Sequence, residues 1–175
     1  DQVQQADEIA ERVGDSAGVF VAPAFAGLGA PYWNAKAKAA VVGLTAHSDR
    51  AHLIRAGFEA MAFQVREVLE LMEAEVESQC TTLNVDGGPS RSRFFMQLVA
   101  DTLQREICVS SVSECSAMGS VMAGMLGAGR VKSVEELRTL PRETVAYKPR
   151  QNAVGARDQF ERWKAWVAII NQANP

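Results

Sequence analysis

The sequence predicts an α/β fold in which a mixed β-sheet is flanked by helices. Between residues 82 and 126, short β-branched runs alternate with helical patterns in the order strand, helix, strand, helix. This alternation is typical of parallel strands joined by right-handed crossovers. Upstream, the apolar runs at residues 19–22 and 40–44 are joined by a loop, which favours an antiparallel pair.

The composition is that of a globular protein without a strongly charged partner. The chain has 175 residues, of which 47% are hydrophobic and 22% charged, and its net charge is −3. This length suits one domain with a sizeable core. The weak negative charge and the scattered basic residues argue against nucleic acid or an anionic membrane as a partner. No apolar run reaches membrane-spanning length.

Cysteines and histidines form no metal or disulfide pattern. The three cysteines are an odd number with no C-x-x-C pair, which argues against a disulfide scaffold or a zinc site. His47 and His52 lack the H-E-x-x-H frame of helical zinc sites, so we expect surface histidines. Because free thiols suit a reducing compartment, we expect a cytoplasmic protein.

The segment between the first two strands is predicted to be an ordered loop. Residues 23–38 contain two prolines, two glycines and two large aromatic side chains. Tyr32 and Trp33 are costly to leave in water, so we expect them to pack. Ahead of the strands, residues 1–12 resemble the polar end of a helix, and the absence of an initiating methionine leads us to expect a fragment or a processed chain.

A long amphipathic helix is predicted to follow the second strand. Ser48 or Asp49 can cap its N-terminus, and the helical pattern continues to about residue 77. The apolar positions that recur at helical spacing are Leu53, Ile54, Phe58, Met61, Ala62, Val65, Val68, Leu69 and Met72. The later elements are predicted as strands at 82–85, 107–110 and 144–147 and as helices at 90–103, 114–126, 133–140 and 153–171.

The segment 84–90, with sequence NVDGGPS, is the strongest local signal for chemistry. A strand, a glycine turn and a helix N-terminus form the geometry in which backbone N–H groups approach a phosphate. Glycine suits this turn because it adopts positive φ without steric cost. The alternative is a plain turn in which Asp86 caps the following helix, and the segment alone leaves both interpretations open.

Other candidate residues have a structural interpretation that we prefer. Glu59 and Asp101 could act in acid–base chemistry, but a solvated or helix-capping carboxylate is the commoner role. Cys115 lies at a helix start, where its pKa could fall, but we expect a buried small residue. Tyr32, Trp33, Trp163 and Trp166 could stack on a base or sugar, and packing is our default expectation for them.

Four segments in order resemble the FGGY carbohydrate kinases, in the version found in glycerol kinases. Residues 23–34, PAFAGLGAPYWN, resemble a loop of that family, and residues 39–59 are similar to its second signature, with Gly57 as a departure. Residues 84–88, NVDGG, resemble the family's adenosine-binding turn. Residues 114–120, ECSAMGS, resemble its E-x-T-A-L-G-A helix start. The resemblance covers about residues 19–129.

The resemblance implies an actin-like ATPase fold of two ribonuclease-H-like lobes with ATP in the cleft between them. Phosphoryl transfer from ATP–Mg²⁺ to a polyol hydroxyl would then use an Asp as base. This chain matches only the later part of the second lobe, so its mixed sheet is expected to be incomplete at its N-terminal strands. The segment with the catalytic Asp is absent, and Asp1-Gln2 is a chance likeness. We therefore assign no catalytic residue and no metal ligand here.

By position in the family motif, the expected nucleotide-binding residues are Asp86, Gly87, Gly88 and Ser92. Ser92 stands where glycerol kinases usually have an Asn near the adenine, and Pro89 is also a departure. Outside this site, Asn34 replaces an Asp, and Lys38 with Ala39 replaces Arg-Gly. These changes indicate a diverged relative.

The sequence thus predicts that residues 1–175 are the C-terminal nucleotide-binding domain of a polyol kinase. Its core is expected at about 19–129, followed by a helical extension at about 130–175. The expected cofactors are ATP and Mg²⁺, and glycerol or a related polyol would bind through the missing lobe. We expect the isolated chain to be inactive and to self-associate or to pair with that lobe. The alternative is a degenerate, non-catalytic relative that acts as a binding or regulatory module.

Overall fold

The structure, a computed structural model, describes residues 2–111, 115–138, 143–150 and 153–173. Its helices are α1 (Gln2–Ala10), α2 (Arg50–Val76), α3 (Arg93–Leu103), α4 (Cys115–Gly127), α5 (Val134–Arg138) and α6 (Ala153–Gln172). Its strands are β1 (Phe20–Ala22), β2 (Ala40–Val42), β3 (Thr82–Val85), β4 (Glu106–Ser110) and β5 (Thr144–Tyr147). A 3₁₀ turn, Gly88–Arg91, precedes α3. The predicted helix starts at residues 1 and 114 and the end at residue 140 lie outside the described residues.

The strands form two small sheets, in which the β1–β2 and β3–β4 pairs have the predicted directions. β1 and β2 are antiparallel, and Val21 pairs with Val41. In the second sheet, of order β3-β4-β5, β3 and β4 are parallel and β5 is antiparallel to β4. Helix α3 connects the parallel strands β3 and β4, as the alternation of strand and helix predicts.

Helix α2 links the two sheets and has a well-formed N-terminus. Asp49 accepts hydrogen bonds from the backbone N–H groups of Ala51 and His52, and the His52 ring pairs with the Asp49 backbone N–H in return. This capping box satisfies helix-terminal donors that would otherwise lack a partner. The helix ends at Val76, and its C-cap Glu77 has a left-handed conformation.

An aromatic core lies between α2, α6 and the β1–β2 sheet. Phe63, Phe160 and Trp163 are almost fully buried, with ring centroids 5.6 to 6.2 Å apart. The Trp163 Nε1 donates a hydrogen bond of 2.8 Å to the carbonyl of Val21, so its polar atom is paired as burial requires. Helix α6 therefore packs directly on β1.

A second core lies between α3, α2 and the β3–β4–β5 sheet. Its buried residues include Phe95, Val99 and Ile107. Four large apolar residues of α3 are buried, namely Phe95, Leu98, Val99 and Leu103, and Phe94 is half-buried. Ala62 of α2 belongs to this core and Phe63 to the first, so one helix joins both.

Most of the apolar positions that recur at helical spacing along α2 are exposed, so the amphipathic pattern does not mark the buried face of this helix. Leu53, Met61, Val65, Val68 and Met72 are all exposed. The buried face instead includes Arg55, Glu59 and Glu67. These charged side chains find partners elsewhere in the fold, and such pairing is what makes their burial tolerable.

Helix α4 differs from the other long helices in its environment. It is rich in small residues, yet none of its residues is buried against the described part of the chain. Met118 and Val121 are exposed apolar side chains on it. Among the described residues, no helix is both long and apolar enough to cross a membrane.

Candidate nucleotide-binding site

The open turn after β3 contains three of the four candidate residues. Asp86, Gly87 and Gly88 are contiguous and exposed. Gly87 has φ of +94°, a conformation that side chains rarely adopt. A Cβ placed on Gly87 or Gly88 would meet no heavy atom of the described residues within 4 Å. The backbone here is therefore accessible to a ligand.

The 3₁₀ turn that follows is held by local hydrogen bonds. The backbone N–H of Ser90 donates to the Gly87 carbonyl at 3.2 Å, and the Ser90 hydroxyl donates to the same carbonyl at 2.7 Å. The N–H of Ser92 then donates to the Pro89 carbonyl at 3.1 Å. These bonds fix the Gly87 carbonyl and give the open turn a defined shape.

Helix α3 begins at Arg93 and not at Ser90 as predicted. Ser92 has φ −77° and ψ +110°, an extended conformation that separates the 3₁₀ turn from the helix. Its hydroxyl oxygen accepts a hydrogen bond of 2.9 Å from the N–H of Phe95. Ser92 is therefore the N-cap, and the possibility that Asp86 caps this helix is wrong.

Ser92 is placed differently from the other three candidates. It is almost fully buried, at 2% exposure, and its hydroxyl donates to Asp7 Oδ1 at 2.5 Å. The hydroxyl thus joins α1 to α3 while it caps α3. The structure groups Asp86, Gly87 and Gly88 at the surface. Ser92 is buried close to them in sequence and caps the helix that follows the turn.

Glu59 is buried in an ion pair, so the expectation of a solvated or capping carboxylate is wrong for it. Arg55 Nε donates to Glu59 Oε1 at 3.0 Å, and Arg55 Nη1 donates to the Val13 carbonyl at 2.9 Å. Burial raises the pKa of Glu59, while hydrogen bonds from Ser16 and Arg55 oppose that rise. The pair anchors α2 to the segment after α1.

Asp101 is also buried, which corrects the same expectation. Its Oδ1 accepts hydrogen bonds from the Gln97 side chain at 3.1 Å and from the N–H of Arg150 at 2.6 Å. At 5% exposure it is enclosed by the protein. Neither Asp101 nor Glu59 adjoins the open turn in sequence, and both are engaged in structural bonds.

The aromatic candidates divide into packed and exposed groups. Tyr32 donates a hydrogen bond of 2.6 Å from its hydroxyl to Glu67 Oε1, and burial raises the pKa of both groups. Trp163 lies in the aromatic core. Trp33 is 80% exposed, so the expectation that it packs is wrong. Trp166 is 38% exposed.

The described residues contain no ready-made metal site. No group of three or more His, Cys, Asp or Glu side chains converges among them. Cys115 is half-buried, not fully buried as expected, with its Sγ 3.5 Å from Ser110 Oγ. Asp86 is the one exposed carboxylate in the open turn.

Sequence comparison places the chain beside carbohydrate kinases. Residues 1–128 match the model of the C-terminal domain of the FGGY family of carbohydrate kinases. The glycerol kinase of Haloquadratum walsbyi is 36% identical over 159 residues, which are 91% of this chain and 31% of that protein. The glycerol kinase of Petrotoga mobilis is 37% identical over 174 residues, which are 99% and 34%.

Structural comparison agrees. The crystal structure of Plasmodium falciparum glycerol kinase with ADP has a TM-score of 0.85 and 27% identity, and the match covers 95% of this chain and 33% of that one. The xylulose kinase of Rhodospirillum rubrum has a TM-score of 0.81 at 24% identity, over 97% and 34%. The chain spans about a third of the length of the relatives it matches.

Proposed function

The chain belongs to the FGGY family of carbohydrate kinases and has their actin-like ATPase fold, and on that premise we propose that it is the ATP-binding C-terminal domain of a polyol kinase. The whole protein would transfer a phosphoryl group from ATP to glycerol or a related polyol. The observation that carries this proposal is the open turn at Gly87 and Gly88, within a chain 36% identical to a glycerol kinase.

In this proposal the turn binds the nucleotide through its backbone. In this proposal the N–H groups of Gly87 and Gly88 donate to phosphate oxygens, because both residues are exposed and a Cβ on either would meet no described heavy atom within 4 Å. Asp86 would repel a bare phosphate, so we assign its carboxylate as the acceptor of a hydrogen bond from a hydroxyl group of the ligand. Ser92 acts indirectly, because its cap fixes the start of α3.

We propose that this chain alone does not catalyse transfer. Phosphoryl transfer depends on holding the acceptor and the nucleotide in line with stabilising charges around them. Glu59 and Asp101 are buried and engaged by Arg55, Gln97 and Arg150, so neither is available as a base for a polyol. The base and the polyol site would lie in the remaining two-thirds of the protein.

The exposed apolar surfaces support a partner for this domain. Helix α4 presents Met118 and Val121, and the exposed stripe of α2 includes Met61, Val65 and Met72. Apolar patches of this kind mark interfaces. We propose that the preceding lobe covers α4, with self-association as the alternative in the isolated chain. We place the protein in the cytoplasm, where its free thiols remain reduced.

Two assays on purified protein test this proposal. Calorimetric titration of the 175-residue chain with ADP should show saturable binding at one site, and a glycerol-dependent ADP-release assay should give no turnover. Adding the remainder of the protein, or using the full-length protein, should restore turnover. Absence of ADP binding by both forms would reject the assignment, and rapid turnover by the chain alone would reject its inactivity.

The alternative is a degenerate relative that no longer catalyses transfer in any form. It is favoured by Ser92, whose hydroxyl is engaged by Asp7 and Phe95 in a position where glycerol kinases usually have Asn. On this view, Ser92→Asn would leave ADP binding undetectable and the full-length protein would be inactive. ADP binding by the unmodified chain, together with turnover by the full-length protein, would exclude it.

A further inference from the structure

A basic groove runs between α3 and β5, on residues that the nucleotide proposal does not use. It has a volume of about 580 Å³ and is lined by Arg93 and Gln97 of α3, by β5 from Val145 onward and by Lys148 and Arg150. Pockets of about 300–1,000 Å³ are typical of small-molecule sites. The groove is thus large enough for a metabolite.

The charged side chains that line the groove are all positive, and among the described residues the one carboxylate bonded to its wall is the buried Asp101 behind it. Its lining residues include three cations, Arg93, Lys148 and Arg150, and no Asp or Glu. Within the described part of the chain, none of these three side chains forms an ion pair with a carboxylate within 4.0 Å. All three are exposed. The whole chain has a net charge of −3, so the positive charge of the groove differs in sign from that of the chain. A groove of this charge favours an anionic ligand.

The wall of the groove is held in place from behind. Gln97 Nε2 donates to the Lys148 carbonyl at 2.8 Å, and the buried Asp101 accepts the Arg150 N–H at 2.6 Å. Asp101 also accepts from Gln97 at 3.1 Å. These bonds fix the backbone that carries Lys148 and Arg150 against α3. Ligand binding therefore costs less conformational entropy of the backbone.

We propose that this groove binds a small polyanion, a metabolite with at least two phosphate or carboxylate groups. Three cations on two walls suit a ligand whose charges are separated, because each wall can then pair with one anionic group. The site differs from the nucleotide turn. Lys148 and Arg150 lie outside residues 1–128, which match the family domain.

Calorimetric titration with pyrophosphate and with citrate, in the presence of saturating ADP, tests this inference on the full chain. The groove variant carries Arg93→Gln, Lys148→Gln and Arg150→Gln. The matched control carries Lys38→Gln, Arg130→Gln and Arg157→Gln, which remove the same charge from exposed positions outside the groove. Thermal unfolding of both variants confirms that they are folded.

We expect the groove variant to lose at least about tenfold in affinity, as removal of charge-assisted hydrogen bonds predicts, and the control to stay within about twofold, as expected for charges outside the site. Backbone amide signals of Gln97 and Lys148 should shift on titration. Equal losses in the two variants would show non-specific attraction and overturn the proposal. No binding by the wild-type chain, or binding of an acidic peptide but not of pyrophosphate or citrate, would also overturn it.

Discussion

Gly43, which follows β2, and Gly87, which lies shortly after β3, both have a positive φ but lie in opposite environments. Their φ angles are +79° and +94°. A Cβ on Gly43 would lie 2.0 Å from the Gly18 carbonyl oxygen, whereas a Cβ on Gly87 would meet no described heavy atom within 4 Å. The first glycine lets two chain segments pack together. The second leaves space that the described protein does not fill, which is the property expected of a ligand site.

The same contrast extends to the regions around these glycines. Around the β1–β2 sheet, the aromatic core encloses Phe63, Phe160 and Trp163. Around the turn after β3, residues 86–89 are exposed and α4 buries none of its residues in the described part of the chain. We infer that the first region supplies stability and the second supplies binding surface.

The largest expected effect is the loss of Trp163 from the aromatic core. Trp163 is 1% exposed and donates to the Val21 carbonyl, so Trp163→Ala should lower the free energy of unfolding by about 3–5 kcal/mol. Trp33 is 80% exposed, and Trp33→Ala should change it by less than about 0.5 kcal/mol. Urea denaturation measures both, and equal effects would contradict the division between the regions.

The two glycines give the next largest effect. Gly43→Ala adds a backbone clash to left-handed strain and should cost about 2–5 kcal/mol in unfolding free energy. Gly87→Ala meets open space and should cost only the backbone strain, about 1–3 kcal/mol, because φ +94° with ψ −178° is a conformation that essentially only glycine adopts. Thermal unfolding compares them. If Gly87→Ala cost as much as Gly43→Ala, the turn would be packed rather than open.

Ser92→Ala should have a smaller effect on stability. It removes the cap of α3 and the partner of Asp7, so we expect a loss of about 1–2 kcal/mol. The matched control is Ser133→Ala, because Ser133 accepts a longer bond of 3.3 Å from Glu136 at the short helix α5. A larger loss for Ser133→Ala would show that Ser92 does not organise the α1–α3 junction.

The smallest expected effect is a pH dependence from Glu67. Burial raises its pKa above the usual 4.5, so the folded state binds more protons than the unfolded state just above pH 4.5. Stability should therefore fall as pH rises through this window. Glu67→Gln keeps an oxygen acceptor for Tyr32 and should remove that part of the slope. The exposed variant Glu75→Gln is the control, and an unchanged slope in Glu67→Gln would contradict the assignment.

Local patterns in the sequence predict much of the fold. The alternation over residues 82–126 predicts the parallel β3–β4 pair, and Asp49 predicts the start of α2. These features depend on neighbouring residues, such as caps and β-branched runs. The glycine turn is recognisable for the same reason, because its conformation is encoded within a few positions.

The buried face of α2 could not be predicted locally, because its partners are distant in the chain. The buried Arg55 donates a hydrogen bond to the Val13 carbonyl, and the buried Glu67 accepts one from the Tyr32 hydroxyl. Sequence periodicity contains no information about such distant partners. It therefore indicates the apolar stripe of α2, which is exposed, and not the buried charged face. The role of Ser92 was missed for a similar reason, although Pro89 was a signal that a short turn precedes α3.

ADP affinity of Gly88→Ala is the most direct test of the claim that the open turn is the nucleotide site. A Cβ there meets no described protein atom, so the melting temperature should match that of the control Gly14→Ala. The Kd for ADP should rise by at least about tenfold, since the methyl group obstructs the approach of the ligand to the backbone. An unchanged Kd in a fully folded Gly88→Ala protein would contradict the account.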